Sequence, residues 1–154
     1  MSIDMNKKIA RPEGHHTITP GFSVKGAATV IAFLERAFGG TVVDKYEGPG
    51  GMVFHAEVKL GDSVVMMGEA QKDAEHGAMP AMMSYYVDTG ADVDATYKRA
   101  LDNGAKSVVA PQNAFYGYRS ATVQDPGGNR WTICAIVEQL SREDIEKRMA
   151  SQPH

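Results

Sequence analysis

Ala121-Thr-Val-Gln-Asp-Pro-Gly-Gly128-Asn-Arg-Trp-Thr132 is an alternating apolar stretch interrupted by a tight turn. Ala56-Glu-Val-Lys-Leu-Gly-Asp-Ser-Val-Val65 has the same form. What precedes each is also shared. Phe22-Ser-Val24, a helical stretch and Phe38-Gly-Gly40-Thr-Val-Val43 lead into the earlier one. Tyr85-Tyr-Val87, a helical stretch and Leu101-Asp-Asn-Gly104-Ala-Lys-Ser-Val-Val109 lead into the later one. The period is about 65 residues, too long for a solenoid unit and right for a βαβββ module. Two such modules predict an α+β protein with pseudo-symmetry and a ligand cleft where the sheets meet.

Working outward, the first module spans 17–70, a linker 71–80, the second module 81–138 and a C-terminal helix 139–154, all in one domain. Thr17–Val24 alternates like a strand, with Pro20 tolerable near an edge. Val30, Ile31, Leu34 and Phe38 fall at helical spacing, and Gly39-Gly40 supplies the stop. Val53–Leu60 and Ser63–Met67 read as strands joined by a Gly61-Asp62 hairpin. In the second half the pattern predicts strands at Met83–Val87, Ser107–Ala110, Arg119–Gln124 and Arg130–Val137, with a helix over Val93–Leu101. Ser141-Arg-Glu-Asp144 reads as a helix N-cap, and residues 1–16 as a loose polar arm.

The 154 residues carry a formal net charge of −3, with 43% hydrophobic and 23% charged residues, the profile of a globular domain. Lys and Arg are scattered, which argues against nucleic acid, because such binders need a basic stripe. No run reaches the ~20 apolar residues of a membrane span. A single cysteine, Cys134, cannot form an intrachain disulfide and sits in an apolar run as a core residue. These features, with an N-terminus lacking an apolar leader segment, point to the cytoplasm.

The duplicated pattern and the Asp125-Pro-Gly-Gly-Asn-Arg-Trp131 turn resemble the vicinal oxygen chelate superfamily, and within it the PhnB-like glyoxalase/bleomycin-resistance branch. Ala37-Phe-Gly-Gly40, His55-Ala-Glu57, Gly61-Asp-Ser-Val-Val-Met66 and Phe115-Tyr-Gly117 with Arg119 carry the likeness. The resemblance implies tandem βαβββ modules forming a cup-shaped mixed sheet, paired as a homodimer that completes each cup. Metal-dependent members hold a divalent ion with His and Glu side chains from the first and last strand of each module. Carried over, those positions fall on Thr19, on Val65 or Met66, on Met82 and on Thr132. Thioether and hydroxyl groups are poor partners for such an ion. The expectation is therefore a cup without metal or other cofactor, binding a small, partly apolar molecule as the sequestering resistance proteins do. The alternative is a lyase, isomerase or dioxygenase-type enzyme of the same superfamily.

Strand alternation sets His55, Glu57 and Lys59 on one face and Phe54, Ala56 and Val58 on the other. His55 and Glu57 thus become candidate catalytic residues, with Glu57 fixing the imidazole tautomer, or else a structural contact between strands. Tyr116, Arg119, Trp131, Met66 and Glu69 are the candidate ligand contacts. Tyr118 stands where the branch usually has Asp, which leaves Arg119 either free for an anionic ligand or bridged to another carboxylate. Gly127 replaces the branch's usual Phe, an expected loosening of the pocket rim or an interface. Clustered Met66, Met67, Met79, Met82 and Met83 suit an adaptable apolar pocket. The remaining histidines, His15, His16, His76 and His154, read as surface residues of the arm, linker and terminus.

Overall fold

Alternating strands that each have one apolar side must bury that side, and here each half of the chain does so under its own helix. The computed structural model describes residues 2–72 and 77–153; His76 and His154 lie outside them. The first module is β1 (Gly21–Val24), α1 (Ala27–Phe38), β2 (Thr41–Glu47), β3 (Val53–Leu60) and β4 (Ser63–Glu69). The second is β5 (Met82–Tyr86), α2 (Gly90–Asp102), β6 (Lys106–Asn113), β7 (Tyr118–Gln124) and β8 (Arg130–Ile136), followed by α3 (Arg142–Ala150). The sheets are equivalent, ordered β1-β4-β3-β2 and β5-β8-β7-β6. Each is mixed, with β1 parallel to β4 and β5 parallel to β8. This is the tandem βαβββ architecture that the repeat implies.

Val30, Ile31, Leu34 and Phe38 are buried along one side of α1, against Ala56, Val58 and Leu60 of β3 and Val65 and Met67 of β4. In the second half Val93, Thr96 and Ala100 of α2 lie over Ala121, Val123, Ile133 and Ala135. Helix ends are built locally. Gly39 takes φ 67° and stops α1, while Thr89 with Asp92 and Ser141 with Asp144 form capping boxes on α2 and α3.

The modules meet through their helix-bearing sides. Phe38 stacks on Tyr85 at 4.6 Å and meets Trp131 edge-on at 5.2 Å. Tyr85 donates its hydroxyl to the Phe38 carbonyl (3.3 Å), and Arg99 Nε donates to the Ala37 carbonyl (2.7 Å). Gly127 belongs to this seam. A Cβ there would lie 2.6 Å from Val30 Cγ2 and 3.0 Å from Val24 Cβ. Gly127 is therefore a close contact of the seam, not the loosened rim or interface that the sequence suggested.

Of the element boundaries that differ from the sequence reading, two have a clear physical cause. Residues 17–20 are not strand, because Thr19 Oγ1 takes the His16 N–H (3.2 Å) and donates to the His16 carbonyl (3.0 Å), and such local bonds compete with a ladder. β6 runs on through Pro111 to Asn113, tolerated at a sheet edge where one side of the strand needs no donors. Among the described residues no helix is long and apolar enough to cross a membrane.

Candidate functional site

The face of each sheet away from its helix is left open, and on the first sheet it carries the titratable groups. His55, Glu57 and Lys59 project there from β3, with Met66 paired opposite Glu57 on β4 and Gly21 opposite Met66 on β1. Glu57 is only 7% exposed. Its Oε2 lies 3.8 Å from His55 Nε2, an ion-pair distance rather than a hydrogen bond. Its Oε1 is in direct contact with His15 Nε2. The arm therefore returns to the sheet, and His15 is a site residue that the sequence reading assigned to the surface. Pro12 and Gly14 could have signalled a turn just before it. Hydrophobic periodicity says nothing about a chain reversal of this kind.

Beside this cluster runs a cleft of about 500 Å³ along β1, β4 and the end of the linker. His55, Met66 and Glu69 line it, with Phe22, Phe54 and Met79 among the apolar walls. Phe54 and Met79 are 70% and 74% exposed and flank its mouth. The linker end is held in place by the Met79 N–H, which donates to the Ser23 carbonyl (2.8 Å). Glu69 has a second task. Its carboxylate accepts from the Gly26 N–H (2.8 Å) and the Ala27 N–H (3.3 Å), capping α1 where Gly26 offers no side chain of its own.

The other candidates lie elsewhere. Arg119 is on the helix side of β7, in phase with buried Ala121 and Val123, and donates Nε and Nη2 to Asp94 Oδ1 of α2 (3.0 and 2.8 Å) and Nη1 to Asn113 (3.1 Å). The structural bridge is thus the outcome. Trp131 is 2% exposed and donates its indole N–H to Asp125 (2.9 Å). Asp125, itself 3% exposed, also accepts from the Gly127 and Asn129 backbone and the Asn129 side chain, while Asn129 Oδ1 accepts from the Ala81 N–H. The turn that carries the resemblance is a closed hydrogen-bond knot, and Trp131 is part of the core seam.

Tyr116 stands beside the open face of the second sheet, 5.3 Å between ring centres from Tyr118, which in turn meets the Tyr86 hydroxyl at 3.2 Å. That bond, reinforced by burial, pushes the Tyr86 phenol up to about 12. Burial raises the Cys134 thiol, which does not suit a nucleophile.

The four carried-over metal positions do not form a donor set. Thr19 Oγ1 is engaged by His16, and Met66 faces the first sheet's cleft. Met82 is 79% exposed at the edge of the second sheet, and Thr132 shares a hydroxyl contact with Thr122 (3.1 Å). Among the described residues no three His, Cys, Asp or Glu side chains are arranged to hold a metal ion. The residues present do not fit the family's metal.

Residues 8–133 match the family model of the Glyoxalase/Bleomycin resistance protein/Dioxygenase superfamily. With the tandem sheets above, this shows that the chain belongs to that superfamily. It is 29% identical over 144 residues to an uncharacterized protein of Mycobacterium bovis, covering 88% of this chain and 93% of that one. An uncharacterized protein of Mycobacterium tuberculosis matches at the same identity, over 88% of this chain and 83% of the relative. Among solved structures, TioX from Micromonospora sp. ML1 superposes with a TM-score of 0.65 at 21% identity, over 79% of this chain and 99% of that one. A lactoylglutathione lyase from Agrobacterium tumefaciens gives 0.60 at 21% identity, over 77% and 92%. At these identities the structures speak for the fold alone.

Proposed function

We propose that this protein is a metal-free member of the superfamily that binds a small, partly apolar molecule in the cleft along β1 and β4. The observation that carries this reading is that His55, Met66 and Glu69, selected from sequence, line one cleft with apolar walls and a few polar groups. Flexible thioethers at Met66, Met67 and Met79 suit ligands of variable shape. The reading is closer to a sequestering resistance protein of the PhnB-like branch than to a metal enzyme, and it places the protein in the cytoplasm.

A homodimer belongs to the same proposal. Met82, Tyr86 and Ile136 on the second sheet's open face are 79%, 61% and 59% exposed, an apolar surface that a second copy's first sheet would cover to complete a cup. Monomer alone in light scattering at micromolar concentration argues against it.

The test is elemental analysis of tag-free protein, after dialysis and again after loading with Ni, Co, Zn and Mn, followed by a thermal-shift screen of small aromatic and apolar fragments. Metal-free protein whose Tm rises with fragments, and loses that rise in His55→Ala and Met66→Trp, supports the reading. Stoichiometric tight metal overturns it. The Glu57–His55 pair favours a second reading, proton transfer next to a carbonyl, with His55 as base and Glu57 orienting it. Exchange of hydroxyacetone α-protons for solvent deuterium, abolished in His55→Ala, would establish that reaction class.

A further inference from the structure

We propose that Glu57 is the anchor for a ligand bearing a protonated or N–H-donating nitrogen heterocycle or amine, and that residues 12–19 form a strap whose His15 imidazole occupies this anchor as a built-in competitor. The proposal rests on the first sheet's open face being the ligand seat.

The arm upstream is exposed, with Ile3, Met5 and Ile9 at 82%, 86% and 76%. The His15 side chain, by contrast, is only 12% exposed. Its insertion is shaped by local structure. The His15 N–H donates to the Pro12 carbonyl (3.1 Å), and Gly14 takes φ +81° so closely over the sheet that a Cβ would stand 3.0 Å from Val64 Cγ2. On the other side Thr19 clasps both backbone groups of His16. A short plug is thereby preformed, carrying one imidazole to one carboxylate.

The anchor favours a positive group. Asp44 lies directly opposite Glu57 in the β2–β3 register, and like charges so placed repel unless a cation stands between them. Strap residues 12–15 wall a cavity of about 380 Å³ over Asp44, Glu57 and Lys59, so withdrawing the strap opens room for a small ring. Glu57 also stands between this cavity and the cleft, with one oxygen towards His15 and the other towards His55, which lines the cleft. A ligand anchored on Glu57 would therefore reach the apolar cleft. Among the described residues the strap's side chains reach the sheet through one polar contact, His15 to Glu57, so its opening belongs to the low-stability end of the molecule.

Imidazole is the probe, titrated into the full chain and followed by 1H–15N NMR and by hydrogen exchange of residues 13–16. A strap closed nine-tenths of the time lowers apparent affinity about tenfold, so His15→Ala should bind imidazole about tenfold more tightly than wild type. In wild type, imidazole should release the His15 ring and expose the amides of 13–16. Glu57→Gln in the His15→Ala background should lose the gain. Equal affinity in wild type and His15→Ala, or binding that leaves residues 13–16 unperturbed, overturns the proposal. The His15→Ala comparison keeps Glu57 native, so a destabilised Glu57→Gln cannot mask the result. Failure here with fragment shifts intact at His55 and Met66 removes the strap and keeps the cleft. Loss of the fragment shifts removes the cleft reading itself.

Discussion

The two modules share a backbone and divide the polar chemistry between them in opposite ways. In the first, buried polarity sits on the sheet: Glu57 is held between His15 and His55, while the β3–β4 hairpin is a plain exposed Gly61-Asp62 turn. In the second, the buried carboxylate is in the hairpin. Asp125 gathers Gly127, Asn129 and Trp131, and the open sheet face carries hydroxyls and phenols such as Tyr86, Tyr118 and Thr132, with Gln124 and Arg130 at one end. Duplicated geometry thus carries its buried carboxylate on the sheet in one module and in the hairpin in the other.

The strongest way to break this contrast is to remove the two turn carboxylates in turn. Asp125→Ala leaves several buried N–H donors without an acceptor and should cost about 3–5 kcal/mol in urea unfolding. Asp62→Ala, at the equivalent turn, should stay within about 0.5 kcal/mol. Similar losses at both would show that the turns are not specialised. Next comes the seam. Gly127→Ala drives a Cβ into Val30 and should destabilise by about 1–3 kcal/mol, with Val30→Ala restoring part of it in the double variant.

A smaller effect is expected at Arg119. Arg119→Ala removes a partly exposed bridge to Asp94 and should cost about 0.5–1 kcal/mol, with fragment shifts in the first module's cleft unchanged. Loss of those shifts would place Arg119 back in the ligand site.

The finest distinction is spectroscopic. Tyr118→Phe removes the hydrogen bond that holds the Tyr86 proton, so an ultraviolet titration should show Tyr86 ionising earlier than its value of about 12. The folded phenol holds its proton more tightly than the unfolded one. Its contribution to stability is therefore complete below about pH 10 and is lost as pH rises towards 12. Wild type should lose alkaline stability over that window and Tyr118→Phe should lose less.

The fold was legible because repetition and alternation are local signals. Gly61-Asp62, the α1 spacing and the Ser141 cap each stand within a few residues of what they form. The same alternation correctly separated His55 and Glu57 from Ala56 and Val58. Taken further, it also assigns Arg119 to the helix side with Ala121 and Val123, and Trp131 with Ile133 and Ala135. Their polar character suggested a cup, whereas the phase of the strand sets them on its helix-bearing side. His15 was illegible for a different reason. Its partner is 42 residues away and no periodic pattern links an arm to a sheet. Glu69 capping a helix that begins 42 residues before it in sequence is the same kind of long-range contact.

The single tryptophan of the chain is Trp131, sealed against Phe38 with its N–H tied to Asp125. Its fluorescence should be that of an indole shielded from water, with Tyr85 stacked on the same Phe38 as a nearby energy donor. Emission from this protein therefore reports whether the two halves are still clamped together. It is an optical strain gauge on the seam, insensitive to changes confined to the first sheet's open face until the halves themselves part.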